Sequence, residues 1–162
     1  ELFGSPFDPA TFLWRTISDF QRGIAEKPEV LTTPEKREGF AREIDFFVVE
    51  LEAYLLKRPD DYRSHLTLAN LYIYQRLFEI DNLDKAHEVL DRAEKLTPTY
   101  PQTHWMKAVA YLYQRKFTEA RASAKKAYDL NPGVEQSQKI VDYIERSIKT
   151  FPEITLYNFF QI

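Results

Sequence analysis

The sequence predicts an all-α fold in which antiparallel helical hairpins stack on one another. Apolar residues recur at intervals of three and four, which is the spacing of an amphipathic helix. Proline stands at helix starts and just after helix ends, and only 4 of the 162 residues are glycine. Two stretches of the chain also share one residue pattern at a fixed separation, as in proteins built from repeats. Together these features predict a repeated helical architecture.

The N-terminal part is predicted to form a helix from Asp8 to Lys27 and a longer helix from Pro34 to Arg58. Asp8 precedes a proline and so does Thr33, which places a side-chain acceptor before the first helical residue. The longer helix carries one apolar face, made of Phe40, Ile44, Phe47, Val48, Leu51 and Leu55. Each helix is expected to end at a residue followed by proline, because such residues avoid helical angles.

Beyond Pro59 the apolar spacing predicts five more helices. The first of them ends before Asp81, and the other four cover Leu83–Lys95, Thr103–Arg115, Thr118–Leu130 and Val134–Lys149. The last helix carries a single apolar stripe. No segment shows strong two-residue alternation between hairpin turns, so no sheet is expected.

The repeated pattern joins "LDKAHEVLDRAEKLTP", which starts at Leu83, to "FTEARASAKKAYDLNP", which starts at Phe117. The residues that match at a separation of 34 are Ala86 and Ala120, Ala93 and Ala127, Leu96 and Leu130, and Pro98 and Pro132. Alanine at a crossing of two helices allows their backbones to approach closely, and proline ends a unit so that the chain can turn back. The period therefore indicates a stack of equivalent hairpins.

With Ala108 and Tyr111 on the preceding helix, these residues resemble the tetratricopeptide repeat (TPR) family. The resemblance covers roughly Tyr62 to Val134 and implies a short right-handed solenoid. It divides a single domain into an N-terminal extension with a degenerate hairpin (1–60), two repeats (61–133), a capping helix (134–150) and an apolar tail (151–162). The first repeat is longer by five residues in "YQRLFEID", which extends either its first helix or its loop.

In this family the first helix of each repeat lines a concave surface. The resemblance therefore implies a non-catalytic protein–protein interaction scaffold with an aromatic-lined groove for a peptide or helix. The contact positions that it implies are Leu66, Asn70, Ile73, Tyr74, Trp105, Val109, Leu112 and Tyr113. The alternative is that the N-terminal helix or the C-terminal tail of the same chain fills the groove.

Composition and motifs argue against other classes of function. A net charge of −3 is unsuited to nucleic-acid binding, and the absence of cysteine excludes disulfides and thiolate sites. The three histidines are far apart, and no nucleophile triad or glycine-rich phosphate loop is present. No catalytic residue, cofactor or metal site is therefore predicted. The basic stretch from Arg115 to Lys126 is interpreted as a solvated helix face, with an acidic partner or an anionic membrane surface as the alternative.

Two further functions stay open. The chain begins at Glu1, which indicates a fragment, and in outline it is similar to the soluble C-terminal TPR regions of bacterial O-antigen ligase and polymerase enzymes. It would then be an accessory domain of a glycan-transferring enzyme, tethered to the membrane upstream, although no segment here is apolar enough to insert. Alternatively, the apolar tail, "EITLYNFFQI", predicts self-association as a homodimer.

Overall fold

The computed structural model describes residues 15–19, 22 and 33–150. All regular secondary structure in these residues is helical, which confirms the all-α class. Residues 15–19 are helical, and Ile17 among them is buried. The helices that follow are α1 (Pro34–Lys57), α2 (Tyr62–Tyr74), α3 (Leu83–Leu96), α4 (Pro101–Tyr113), α5 (Phe117–Leu130) and α6 (Glu135–Thr150).

Side-chain caps and prolines determine where the helices begin. Thr33 caps α1, because its hydroxyl accepts a hydrogen bond of 3.4 Å from the backbone N–H of Lys36. The Asp61 carboxylate accepts two backbone N–H groups in the first turn of α2. Helix α4 starts at Pro101, two residues before the predicted Thr103, because proline fits the first turn, where no backbone donor is needed.

The connection between α2 and α3 contains a 3-10 helix, Gln75–Phe78, which continues α2 with a tighter turn. It ends at Glu79, whose φ of 65° is left-handed. The Gln75 amide donates to Asp45 of α1 at 2.7 Å and accepts from Asn82 at 2.6 Å. The additional residues therefore join α1 to the start of α3 and do not extend the α-helix.

Helices adjacent in the chain make the most extensive contacts. Helix α2 packs chiefly on α3 and α4 chiefly on α5, while α3 also contacts α4 and α5 contacts α6. Alternate helices touch as well. The Tyr62 hydroxyl of α2 lies 3.1 Å from the Thr103 hydroxyl of α4, and the Tyr113 hydroxyl of α4 lies 3.3 Å from the Tyr143 hydroxyl of α6. Helices α2, α4 and α6 thus form one row.

Alanine occupies the interior of both helix pairs. Ala86 and Ala93 of α3 and Ala120 and Ala127 of α5 are each 0 % exposed. A methyl group leaves room for a second helix to approach, and close packing then fills the remaining space with larger side chains. These are the four alanines that recur at the 34-residue period.

We predict that Ala120→Leu destabilises the protein by about 1–3 kcal/mol, because the added methylenes have no space at this packed position. The control is Ala122→Leu on the same helix, where the side chain is exposed and the change should stay within about 0.5 kcal/mol. Urea unfolding followed by circular dichroism measures both. Equal stabilities of the two variants would contradict the close packing at Ala120.

Candidate functional site

The predicted contact residues lie on α2 and α4, two neighbours in the row of helices. Five of them are buried in the core, and Ile17 belongs to the same core cluster. The five are Leu66 (7 % exposed), Ile73 (0 %), Tyr74 (2 %), Val109 (0 %) and Leu112 (0 %). Asn70, Trp105 and Tyr113 keep partial exposure. Only these three present surface to a partner in this packing.

Trp105 combines a partly buried ring with an unpaired polar atom. Its ring packs against the core, while its indole Nε1 is shielded and has no hydrogen-bond partner within the described residues. Buried indole N–H groups usually find an acceptor, and leaving one unpaired costs about 1–3 kcal/mol. Trp105 therefore brings apolar area to the row, while its shielded indole N–H is not accessible to a partner.

Tyr113 is the last residue of α4, and its hydroxyl is neutral. Burial, reinforced by the neighbouring Tyr143, raises the pKa of Tyr113 well above its ordinary value. Burial likewise raises the pKa of Tyr74 on α2. Both hydroxyls stay protonated at physiological pH, so the aromatic part of the row is uncharged.

Asn70 lies near the middle of α2 and is partly exposed. Its side chain forms no hydrogen bond with the other residues that the structure describes. An amide can both donate and accept, which matches the alternating groups of a peptide backbone. Asn70 is therefore suited to hold an extended segment by its main chain.

A buried lysine joins three helices beside this row. The Lys107 ammonium of α4 lies 2.5 Å from carboxylate oxygens of both Asp91 and Glu94 on α3, and only 8 % of Lys107 is exposed. Lys126 of α5 reaches Glu94 at 2.6 Å. Lys107 is not among the site residues predicted from the sequence. Its signal there is a lysine among the apolar residues of α4, a position that requires paired charges.

The pKa values of this cluster follow from its pairing. Burial alone would lower the pKa of Lys107, but the hydrogen bonds that its ammonium donates to Asp91 and Glu94 raise it. Burial alone would raise the pKa of Glu94, but the bonds from Lys107 and Lys126 lower it to about 2. Lys107 and Glu94 are therefore both ionised at neutral pH, and their ion pairs hold α3, α4 and α5 together.

Two histidines occupy the same place in the two helix pairs. His65 Nε2 lies 2.7 Å from the carbonyl oxygen of Pro59. His104 bonds the carbonyl of Pro98, but its Nε2 has no hydrogen-bond partner, so the two rings do not use the same nitrogen. Each proline follows the end of the preceding helix, so each ring ties a helix to the loop before it. Burial, with Lys126 adding to it, lowers the pKa of His104, and the ring is neutral at physiological pH.

The third histidine also has a packing partner. The His87 ring lies against the Tyr111 ring with centroids 4.0 Å apart. Burial, and secondarily Lys116, lowers the pKa of His87. Across the described ranges, no three histidine, aspartate or glutamate side chains come together in a way that could hold a metal ion.

Cations of the basic stretch from Arg115 to Lys126 are largely paired within the fold. Lys116 lies above the Tyr111 ring at 6.0 Å from its centroid. The ion pairs join Arg121 to Glu145, Lys125 to Asp129 and Lys126 to Glu94. This pairing supports the interpretation of the stretch as an ordinary solvated helix face.

Several predictions concern residues that the structure does not describe. The apolar tail at 151–162, the aromatic lead-in at 1–14 and most of the first predicted helix lie outside the described ranges. The proposed filling of the groove by these segments and the homodimer through the tail therefore stay predictions. Within the described ranges, no helix has the length and apolarity needed to cross a membrane.

No protein-family model and no curated protein matches this chain.

We predict that Glu94→Gln lowers the free energy of unfolding by about 1–2 kcal/mol at pH 7, because Lys107 and Lys126 lose a charged acceptor. The lowered pKa of Glu94, about 2, lies below its value of about 4.3 in the unfolded chain. The stabilisation is therefore fully present above about pH 4.5 and is lost as the pH falls towards 2. Urea unfolding at a series of pH values should show the difference between wild type and variant shrinking on acidification.

Glu119→Gln serves as the control, because Glu119 is exposed and forms no salt bridge with the described residues. Its effect should stay within about 0.5 kcal/mol at every pH. A Glu94→Gln difference that is independent of pH would show that the carboxylate charge does not stabilise the cluster.

Proposed function

We propose that this chain is a non-catalytic protein–protein interaction scaffold, built as a short TPR-like array, which binds a peptide or helix of a partner along α2 and α4. The observation that carries the proposal is the partial exposure of Asn70, Trp105 and Tyr113 on neighbouring helices. They offer a free amide and aromatic area on one row. These are the groups that recognise a polypeptide.

The interpretation as an array rests on the likeness of the two helix pairs. Each pair has its buried alanines at the same positions of its second helix. Each first helix carries a histidine bonded to the carbonyl of the proline that precedes it, His65 in one pair and His104 in the other. In this interpretation α6 is the capping helix that covers the last pair.

The buried neighbours of the three exposed residues contribute rigidity to the proposed surface. Ile73, Val109 and Leu112 are each 0 % exposed and lie within one turn of the exposed residues, so the exposed side chains border positions that are fixed in the core. A surface that is already ordered loses little conformational entropy on binding. The same surface would serve a free-standing scaffold and an accessory domain of a membrane-bound glycan-transferring enzyme.

Selection from a displayed library of random peptides on the immobilised chain tests this proposal. We expect a family of related peptides to be enriched, and Asn70→Arg to weaken their binding at least about tenfold, equivalent to about 1.4 kcal/mol. Arginine is a good helix former, so this variant places a long charged side chain on the surface without breaking α2.

Ala122→Arg is the matched control, because it adds the same side chain at an exposed position of α5, outside the row. It should bind the selected peptides as the wild type does. The proposal fails if no peptide family is enriched, or if Asn70→Arg and Ala122→Arg bind equally well.

A further inference from the structure

Helix α1 carries two apolar faces, and only one of them is packed. The inner face consists of the buried residues Ile44, Phe47, Val48, Leu51 and Leu55. The outer face presents Phe46, Val49 and Leu56, which are 57 %, 60 % and 86 % exposed. With the exposed Ala53, these side chains recur at three- and four-residue intervals and form a continuous stripe opposite the core.

This stripe concentrates the exposed apolar surface of the described part of the chain. The other large apolar side chains exposed there are Leu96 and Tyr100, which lie at the connection between α3 and α4. Single exposed apolar residues are ordinary, whereas a contiguous stripe indicates an interaction site.

Carboxylates border the stripe on both sides. Glu43 and Glu50 lie seven residues apart along one edge, and Asp45 and Glu52 lie seven apart along the other, all four exposed. Residues 43–56 contain no lysine or arginine. None of the four carboxylates forms a salt bridge within the described residues.

The two edges differ in their surroundings. Glu52 accepts a hydrogen bond from Tyr72 and lines a groove of about 450 Å³ that also contains Lys85 and Arg92 of α3. Lys85 and Arg92 therefore balance part of the negative charge on the edge formed by Asp45 and Glu52. Glu43 and Glu50 pair with no cation within the described residues, so their edge carries the uncompensated negative charge.

The charge pattern selects among the molecules that could cover this stripe. A second copy related by two-fold symmetry would bring acidic edges against acidic edges. The termini of this chain are no better suited, since residues 1–14 and 151–162 contain carboxylates and no lysine or arginine. Residues 20–32 contain two cations and two carboxylates and have no net charge. A partner with basic edges complements the stripe.

We propose that the outer face of α1 docks an amphipathic helix of another polypeptide, whose apolar stripe is bordered by lysine or arginine. Leucine-type side chains of that helix pack on Phe46, Val49 and Leu56, and its cations pair with Glu43 and Glu50. This surface lies on α1 and is separate from α2 and α4, so the inference does not rest on the proposed function.

A single cysteine on the stripe tests the inference, because the chain has none of its own. In Val49→Cys, the rate of thiol labelling by a maleimide reports whether the stripe is covered. The probe is a synthetic amphipathic helix of about 18 residues, five turns, with leucines on one face and lysines along its borders. A second peptide is identical except for glutamate in place of lysine.

We expect fast labelling of Val49→Cys in the isolated protein. At low salt, the lysine peptide at about ten times its dissociation constant should slow this labelling about tenfold. The glutamate peptide should leave the rate unchanged. Ala122→Cys, exposed on α5, is the control and should label at one rate with either peptide. The double variant Glu43→Lys, Glu50→Lys should reverse the preference between the peptides.

Three results would overturn the inference. Slow labelling of the isolated protein that does not depend on its concentration would show that a segment of the same chain covers the stripe. Slow labelling that increases with dilution would identify a second copy as the occupant. Equal protection by both peptides, or protection by neither, would show that the carboxylates do not select a basic helix.

Discussion

The close approach of helices at buried alanines is the constraint on which the rest of this structure depends. Ala86 and Ala93 in α3, and Ala120 and Ala127 in α5, have no exposed surface, and each lies within a pair of helices with extensive contact. A larger side chain there would separate the pair and open the core on both sides. Both pairs bury alanine at the same positions, and α2, α4 and α6 lie side by side.

That arrangement decides which side chains are available for binding. Once α2 and α4 are neighbours, most of their apolar residues become core, and Asn70, Trp105 and Tyr113 are left at the surface. The ion pairs of Lys107 with Asp91 and Glu94 join α4 to α3. The buried lysine is tolerated there because the carboxylates neutralise its charge. Helix α1 packs only one of its two apolar faces, so the other has no partner in the described residues.

Helix positions were predictable because their signals are local. Thr33 before proline marked the start of α1, and the alanine period marked both pairs. Burial was less predictable, because helical spacing defines a face without identifying what covers it. Ile73 and Leu112 thus lie in the core, although the family resemblance places them on a groove. Gln75 shows the same limit, since its 3-10 turn depends on Asp45, thirty residues earlier in the chain.

The row of α2, α4 and α6 is the central feature, because both the rigidity of the fold and the proposed surface follow from it. Nuclear Overhauser effects measured on the protein in solution test it most directly. Cross-peaks should join the Thr103 methyl group to the Tyr62 ring, and the Tyr113 ring to the Tyr143 ring. Intact helices that show neither pair of cross-peaks would contradict the side-by-side arrangement and remove the basis of the surface on α2 and α4.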